Sequence, residues 1–301
     1  MRTAYLGTSE FAAAVLRRLA DSRHRPPLVV TPPDRPKGRG RHSGPPPAAV
    51  AATELGLDLL QTENVNHMDA LERIRAADPD AVAVCAFGQL IREPLLSEWP
   101  LLNVHPSLLP RWRGAAPIER AIMAGDARTG VSLMRVTAGL DSGPVALHEE
   151  IAVGPEDDFE RLAGRLAGIG GELLIEALDL LERCELSFDE QDDEQATYAE
   201  KIEAAERRLD PRRPAAELAR TVRALTPHVG AYIELGEDSR LGVRRARAVD
   251  VNVKQGEMKA EWGALLLGCG RGALRLEVVQ PQGGKPMAVD AYLRGHPVPV
   301  L

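Results

Sequence analysis

Cysteine is scarce. The 301 residues hold three, Cys85, Cys184 and Cys269, far apart and odd in number. That excludes a disulfide framework and a thiolate zinc site, and it points to a reducing, cytoplasmic setting. The seven histidines show no ligand spacing, so no metal is expected. No apolar run approaches the roughly eighteen residues of a membrane-spanning helix. Met1-Arg2-Thr3-Ala4 leads into a short apolar run and Gly7, without the long apolar region of a secretion signal. The G-x-G-x-x-G of a dinucleotide site is missing too. Only Gly7 is present, which weighs against an NAD oxidoreductase.

What is there is globular: 44% of the residues are hydrophobic and 27% charged. The length accommodates two domains with cores of their own. The net charge of -7 is uneven. From Lys201 onward there are 17 basic and 12 acidic residues, against 20 and 32 before it. The asymmetry permits nucleic-acid contact by the second half, and a solvated basic face would give the same numbers.

The chain opens as strand, glycine turn and helix, the start of a doubly wound α/β domain. Thr3 to Leu6 reads as the strand. Thr8 or Ser9 can cap a helix whose Phe11, Val15 and Leu19 face the sheet. Leu28-Val29-Val30 is a second strand. Thr31 to Pro47 is a long Pro/Gly loop carrying Arg35, Lys37, Arg39 and Arg41, which suits a grip on a phosphate backbone or a plain solvated crossover. Helices are expected over Ala48–Leu55 and, capped by Asn66, over Asn66–Ala76. Ala81 to Ala86 is continuous apolar sequence, as in a central parallel strand. Phe87-Gly88-Gln89-Leu90-Ile91 at its end can line an apolar slot whose backbone reads a flat ring.

Asn103 and His105 stand two apart where the strand Leu101–Val104 ends. An extended chain puts both on one face, and Pro106 closes the strand. Such a pair can stabilise an oxyanion and handle a proton, or simply cap backbone and fill a core. Thr129–Val136 and Val145–Ile151 read as a hairpin. Between them Gly139-Leu140-Asp141-Ser142-Gly143 can turn a carboxylate inward to orient an imidazole. An ordinary surface turn has the same composition. His148 reads as an exposed strand residue. Pro155–Leu181 is a long amphipathic helix, and the polar, aperiodic stretch from Phe188 reads as a linker. Short alternating strands after Pro214 suit a small oligonucleotide-binding type of barrel, with Arg244, Arg245, Arg247, Lys254 and Lys259 on a basic face. Gly283 and Gly284 present Lys285.

Phe87-Gly88-Gln89-Leu90, the run Asn103-Val104-His105-Pro106-Ser107-Leu108-Leu109-Pro110, its continuation Arg111 to Pro117, and Gly139 to Gly143 together resemble the N10-formyltetrahydrofolate-dependent formyltransferases. The likeness runs essentially end to end. Pro33 to Gly40, Thr197 to Ile202 and Gln280 to Met287 are similar in particular to the branch that formylates methionyl-tRNA. The resemblance implies a Rossmann-like, mostly parallel α/β domain over 1–186, a linker over 187–206 and an OB-like barrel over 207–301. It assigns catalysis to Asn103, His105 and Asp141. It assigns 10-formyltetrahydrofolate, as co-substrate, to Phe87, Gly88, Gln89, Leu90, Ile91, Ser107, Leu108, Leu109 and Pro110. Arg35, Lys37, Arg39, Arg41, Arg244, Arg245 and Lys285 would contact tRNA, the basic loop reaching the acceptor stem. The implied partner is methionyl-tRNA, preferentially the initiator, with no DNA, no membrane and a monomeric enzyme. Pro106 and Ser9-Glu10 depart from common family residues without removing a reacting group. The rival readings are formylation of a sugar nucleotide or other small amine, and a non-catalytic RNA-binding protein.

Overall fold

Thr3–Gly7 forms strand β1, with every residue buried. Two features explain the turn that follows. A side chain at Gly7 would lie 2.6 Å from the Tyr5 ring and 3.2 Å from the Cys85 carbonyl oxygen. Ser9, not Thr8, caps helix α1 (Glu10–Ala20), accepting from the Ala12 amide. Thr8 instead donates its hydroxyl to the Phe87 carbonyl at 2.5 Å. Val15, Leu16 and Leu19 form the buried face of α1, while Phe11, expected there, is half-buried.

The structure is a computed structural model that describes residues 1–37, 42–236, 239–261 and 263–301, and of Pro36, Lys37 and His42 the backbone alone. The chain divides into two compact units. The first comprises 1–114, 129–151 and 163–198, and the second 115–128, 152–162 and 199–301.

In the first unit β2 (Leu28–Thr31) pairs in parallel with β1. The segment read as a loop then folds into a small antiparallel hairpin, β3 (Arg35–Lys37) with β4 (His42–Gly44). Helix α2 (Pro47–Glu54) starts on proline, whose fixed φ suits a first helical position. After β5 (Asp58–Gln61), helix α3 runs Met68–Ala76 with His67 at its N-cap. Asn66 is not the cap expected from sequence. Its amide group donates to the Leu90 carbonyl and accepts from the Arg92 amide, at 2.8 Å each. A tertiary bond has outcompeted the local one. Strand β6 (Ala81–Cys85) is buried throughout, the short α4 spans Leu95–Glu98, and β7 (Leu101–His105) follows. The two-residue β8 (Arg113–Gly114) precedes α5 (Pro117–Ala124) of the second unit.

Strands β9 (Arg128–Arg135) and β10 (Val145–Ala152) complete a seven-stranded sheet of order β10-β9-β7-β6-β1-β2-β5. β1, β2, β5, β6 and β7 run parallel, while β9 is antiparallel to β7. Helix α6 (Phe159–Glu182) lies over this sheet so closely that a side chain at Gly170 would meet Val104 Cγ1 at 2.6 Å. Burial of both faces explains why β2 and β6 read as nearly continuous apolar runs. The strand order reverses between β1 and β6, and ligands of such sheets bind outside the carboxyl ends at that point. β11 (Tyr198–Ala199) pairs with β8.

In the second unit α7 (Ala215–Leu225) follows a proline N-cap. Strands β12 (Ala231–Leu235), β13 (Ser239–Val249), β14 (Met258–Glu261), β15 (Ala264–Gly268), β16 (Ala273–Gln280) and β17 (Met287–Ala288) form one sheet, closed in sequence by α8 (Val289–Gly295). The pairings are antiparallel. Leu218, Val222 and Leu225 of α7 pack on Leu241, Val243, Leu274 and Leu276. A parallel α/β unit followed by an antiparallel β unit is the architecture expected from sequence.

Candidate active site

β7 carries the site because its last residues leave the sheet core on one face. Asn103 and His105 share that face, and Val104 points the other way, under Gly170. Asn103 is half-buried. Its carboxamide makes no hydrogen bond to another of the described residues. His105 is 4% exposed, and its Nε2 lies 2.9 Å from the Trp112 carbonyl. A carbonyl oxygen only accepts, so Nε2 carries the hydrogen. The neutral ring therefore has its lone pair on Nδ1. Asp141 Oδ2 lies 3.6 Å from that Nδ1, an ion pair when the ring is protonated.

The Asp141 turn is held in an unusual backbone state. Asp141 has φ +45°, the left-handed region, which costs an L-residue about 1 kcal/mol. Gly143 fits where a Cβ would lie 2.0 Å from the Arg135 carbonyl oxygen. The Gly114 amide donates to Asp141 Oδ2 at 2.9 Å, fixing the carboxylate. The turn is thus an inward-aimed acid, which composition alone left open. His148 is exposed on β10, as expected.

Several residues expected to touch folate are committed elsewhere. Phe87 and Ile91, at 3% and 7% exposure, belong to the core with Leu6, Val84 and Leu95. Their side chains do not line an open slot, because burying such groups is worth about 2 kcal/mol each. Ala86 and Gly88 on either side of Phe87 are exposed and have positive φ, so it is backbone that this loop presents. Gln89 is tied to β-sheet loops, donating to the Thr62 carbonyl at 2.7 Å and accepting from the Val65 amide at 2.8 Å. Leu90 is 61% exposed. Ser107 is fully buried and donates to the Arg111 carbonyl at 2.6 Å. The Leu109 amide donates to Ser132 Oγ, and the Pro110 carbonyl accepts from the Thr197 amide. Leu108 is half-buried, filling the space that a side chain at Gly130 would occupy.

The expected cations separate in the same way. Arg35 is exposed at the start of the β3–β4 hairpin, and Lys37 pairs through its backbone within it. Arg39 and Arg41 lie outside the described residues. In the second unit a β-bulge interrupts β13 at Arg244 and breaks the alternation. Arg244 turns onto Gln280 Oε1, with contacts of 2.9 and 2.6 Å, and burial lowers its guanidinium pKa, with Arg207 adding to the shift. Arg245 and Arg247 share Glu277. Lys285 is exposed on its turn. Among the described residues no cluster of three or more metal-ligating side chains occurs.

Sequence reasoning missed Trp112, Gly114 and Gln191. The first two act through backbone atoms, which no side-chain pattern announces. Gln191 sits in the segment read as linker, yet donates to the Asp141 and Gly143 carbonyls.

Comparison with known proteins agrees over nearly the whole length. Residues 1–178 match the family described as formyl transferase, and residues 201–297 match formyl transferase, C-terminal domain. A methionyl-tRNA formyltransferase of Methylococcus capsulatus is 43% identical over 98% of this chain and 97% of its own. One of Neisseria meningitidis is 39% identical over 100% of this chain and 99% of its own. Among solved structures, HypX from Aquifex aeolicus in complex with tetrahydrofolic acid superposes with a TM-score of 0.66 at 19% identity. That match covers 98% of this chain and 47% of the other.

Proposed function

The chain belongs to the formyl transferase family, and on that premise we propose that Asn103, His105 and Asp141 transfer a formyl group from 10-formyltetrahydrofolate to the α-amine of methionyl-tRNA, preferentially the initiator. The observation that carries the reading is the His105–Asp141 pair, 3.6 Å apart, with Asn103 on the same face of its strand and without a hydrogen-bond partner among the described residues. Relatives named for this reaction, about two-fifths identical over nearly the full length, support it.

The neutral amine attacks the formyl carbon, forming the new C–N bond and a tetrahedral centre bearing an oxyanion. Asn103 donates to that oxygen. A donor aimed at such an oxyanion is worth roughly 3 kcal/mol in the transition state. Neutral His105 accepts the proton released by the attacking nitrogen at Nδ1, and the Asp141 carboxylate holds the resulting imidazolium charge. Collapse breaks the bond from the carbon to folate N10, and the imidazolium of His105 returns its proton to N10, which leaves as the neutral secondary amine while His105 regains its neutral form. The exposed backbone at Ala86 and Gly88 suits recognition of a flat ring, beside Leu90 and Leu108. Ser107, Leu109 and Pro110 fix the course of the loop after β7 through Arg111, Ser132 and Thr197.

Arg35, Lys37, Arg39 and Arg41 contact the tRNA acceptor end, and Lys285 adds a phosphate contact. Arg244 and Arg245 have weaker claims, because Gln280 and Glu277 already hold them. The acting species is a cytoplasmic monomer. The test is formation of formyl-methionyl-tRNA by the purified protein from labelled formyl-folate, with charged initiator and elongator tRNAs offered separately. Label on neither tRNA, or equal rates on both, would overturn the acceptor or the preference respectively.

A further inference from the structure

Gln191 and Arg113 take no part in the chemistry above, yet they are tightly engaged around it. Gln191 Nε2 donates to the Asp141 carbonyl at 2.9 Å and to the Gly143 carbonyl at 2.6 Å. Its Oε1 accepts from Arg113 Nε at 2.9 Å. Arg113 Nη2 donates to Asp193 Oδ1 at 2.8 Å. Arg113 is 3% exposed, while Asp193 faces solvent. Asp189 and Val145 exchange backbone hydrogen bonds of 2.9 Å each, so the same segment also holds the start of β10.

The direction of these bonds is forced. A guanidinium only donates, so the Gln191 oxygen must face Arg113 and its amide nitrogen must face the turn. Two carbonyls at the turn then receive one donor group, across Asp141 and Gly143. Asp141 sits there at φ +45°, a state that relaxes unless its surroundings over-determine it. Relaxation would swing the carboxylate away from His105 Nδ1.

We propose that Gln191 is the positioning residue of the Asp141 turn: its amide fixes the backbone that aims the carboxylate at His105, and Arg113 sets which way the amide points. The proposal rests on the catalytic reading of Asp141. It gives the segment after Ser187 a role in turnover as well as in connection.

The test uses the full chain and compares Gln191→Ala, Gln191→Glu, Asp141→Ala and the double variants in formyl-methionyl-tRNA formation. Misaiming a catalytic group by about 1 Å costs up to a hundredfold, so a tenfold fall in kcat is expected for Gln191→Ala. KM for either substrate should change by less than about twofold, since neither substrate is contacted. Gln191→Glu preserves the volume and the Arg113 contact but turns an oxygen toward two carbonyl oxygens, so it should be as slow or slower. It carries the test if Gln191→Ala fails to fold. Adding either change to Asp141→Ala should cost nothing further, because the effect passes through Asp141. Wild-type kcat in Gln191→Glu, or a loss that multiplies in full on Asp141→Ala, would overturn the proposal. Wild-type kcat in Asp141→Ala would overturn the catalytic reading itself, which separates the two failures.

Discussion

The two units treat their polar side chains in opposite ways. At the carboxyl end of β7 His105 is held by the Trp112 carbonyl and Asp141 by the Gly114 amide, while Asn103 has no hydrogen-bond partner among the described residues. On β13 the arginines are the groups that are satisfied: Arg244 by Gln280, and Arg245 with Arg247 by Glu277. The lesson is where free energy is held ready for a ligand. On the proposed reading, the first unit keeps Asn103 as a donor held ready for developing charge. The second offers cations already compensated, whose exchange for phosphate gains little.

The largest effect should come from removing the aimed groups. Asn103→Ala, and separately His105→Ala and Asp141→Ala, should each cut turnover about a hundredfold or more in a formyl-methionyl-tRNA assay, with unchanged thermal unfolding. Normal turnover in all three would erase the contrast between the units. Next should come charge reversal in the basic sequence between Arg35 and His42. Arg39→Glu is expected to raise the KM for tRNA about tenfold, leave folate affinity within about twofold, and reduce the salt slope of tRNA binding by about one phosphate contact. Equal effects on both substrates would remove that segment from the tRNA side.

A third measurement sharpens the same comparison at the level of packing. Gly170→Ala would place a Cβ 2.6 Å from Val104 on the strand that carries the site, while Gly168 on the same helix has open space. Overpacking costs about 1–3 kcal/mol, so Gly170→Ala should lower the unfolding midpoint. Gly168→Ala should raise it, by up to about 1 kcal/mol of stability, since alanine is the better helix former. The smallest effect belongs to the compensated cations: Arg245→Ala should change tRNA affinity by less than about twofold, because Glu277 already neutralises it. A tenfold loss in filter binding would show that β13 is free to engage phosphate after all.

Much of the candidate site's local geometry was legible in the chain. The Asn103–His105 spacing, the apolar strand before it and the Gly139–Gly143 turn are local patterns, and local patterns survive folding when the strand is buried on both faces. The outcomes at Asn66, Phe87 and Arg244 differ from expectation for one shared reason. Each side chain had a role suggested by its local sequence and found a partner in space: Leu90 and Arg92 for Asn66, the apolar core for Phe87, and Gln280 for Arg244. The stretch after Phe188 read as a linker because it is polar and aperiodic. It is polar because it makes hydrogen bonds, Gln191 and Asp193 with Arg113 among them.

The sequence by itself determined the mostly parallel sheet, the antiparallel sheet that follows it and which side chains are candidates for the chemistry. Those depend on hydrophobic period and on residue chemistry, which are properties of neighbours along the chain. Only the tertiary structure decided which nitrogen of His105 faces the Trp112 carbonyl, which way Asp141 faces, and which polar groups are held by distant partners. Those depend on partners far away in sequence, such as Gln191, fifty residues beyond Asp141. A hydrogen bond acts over about 3 Å of space and leaves no period in the chain.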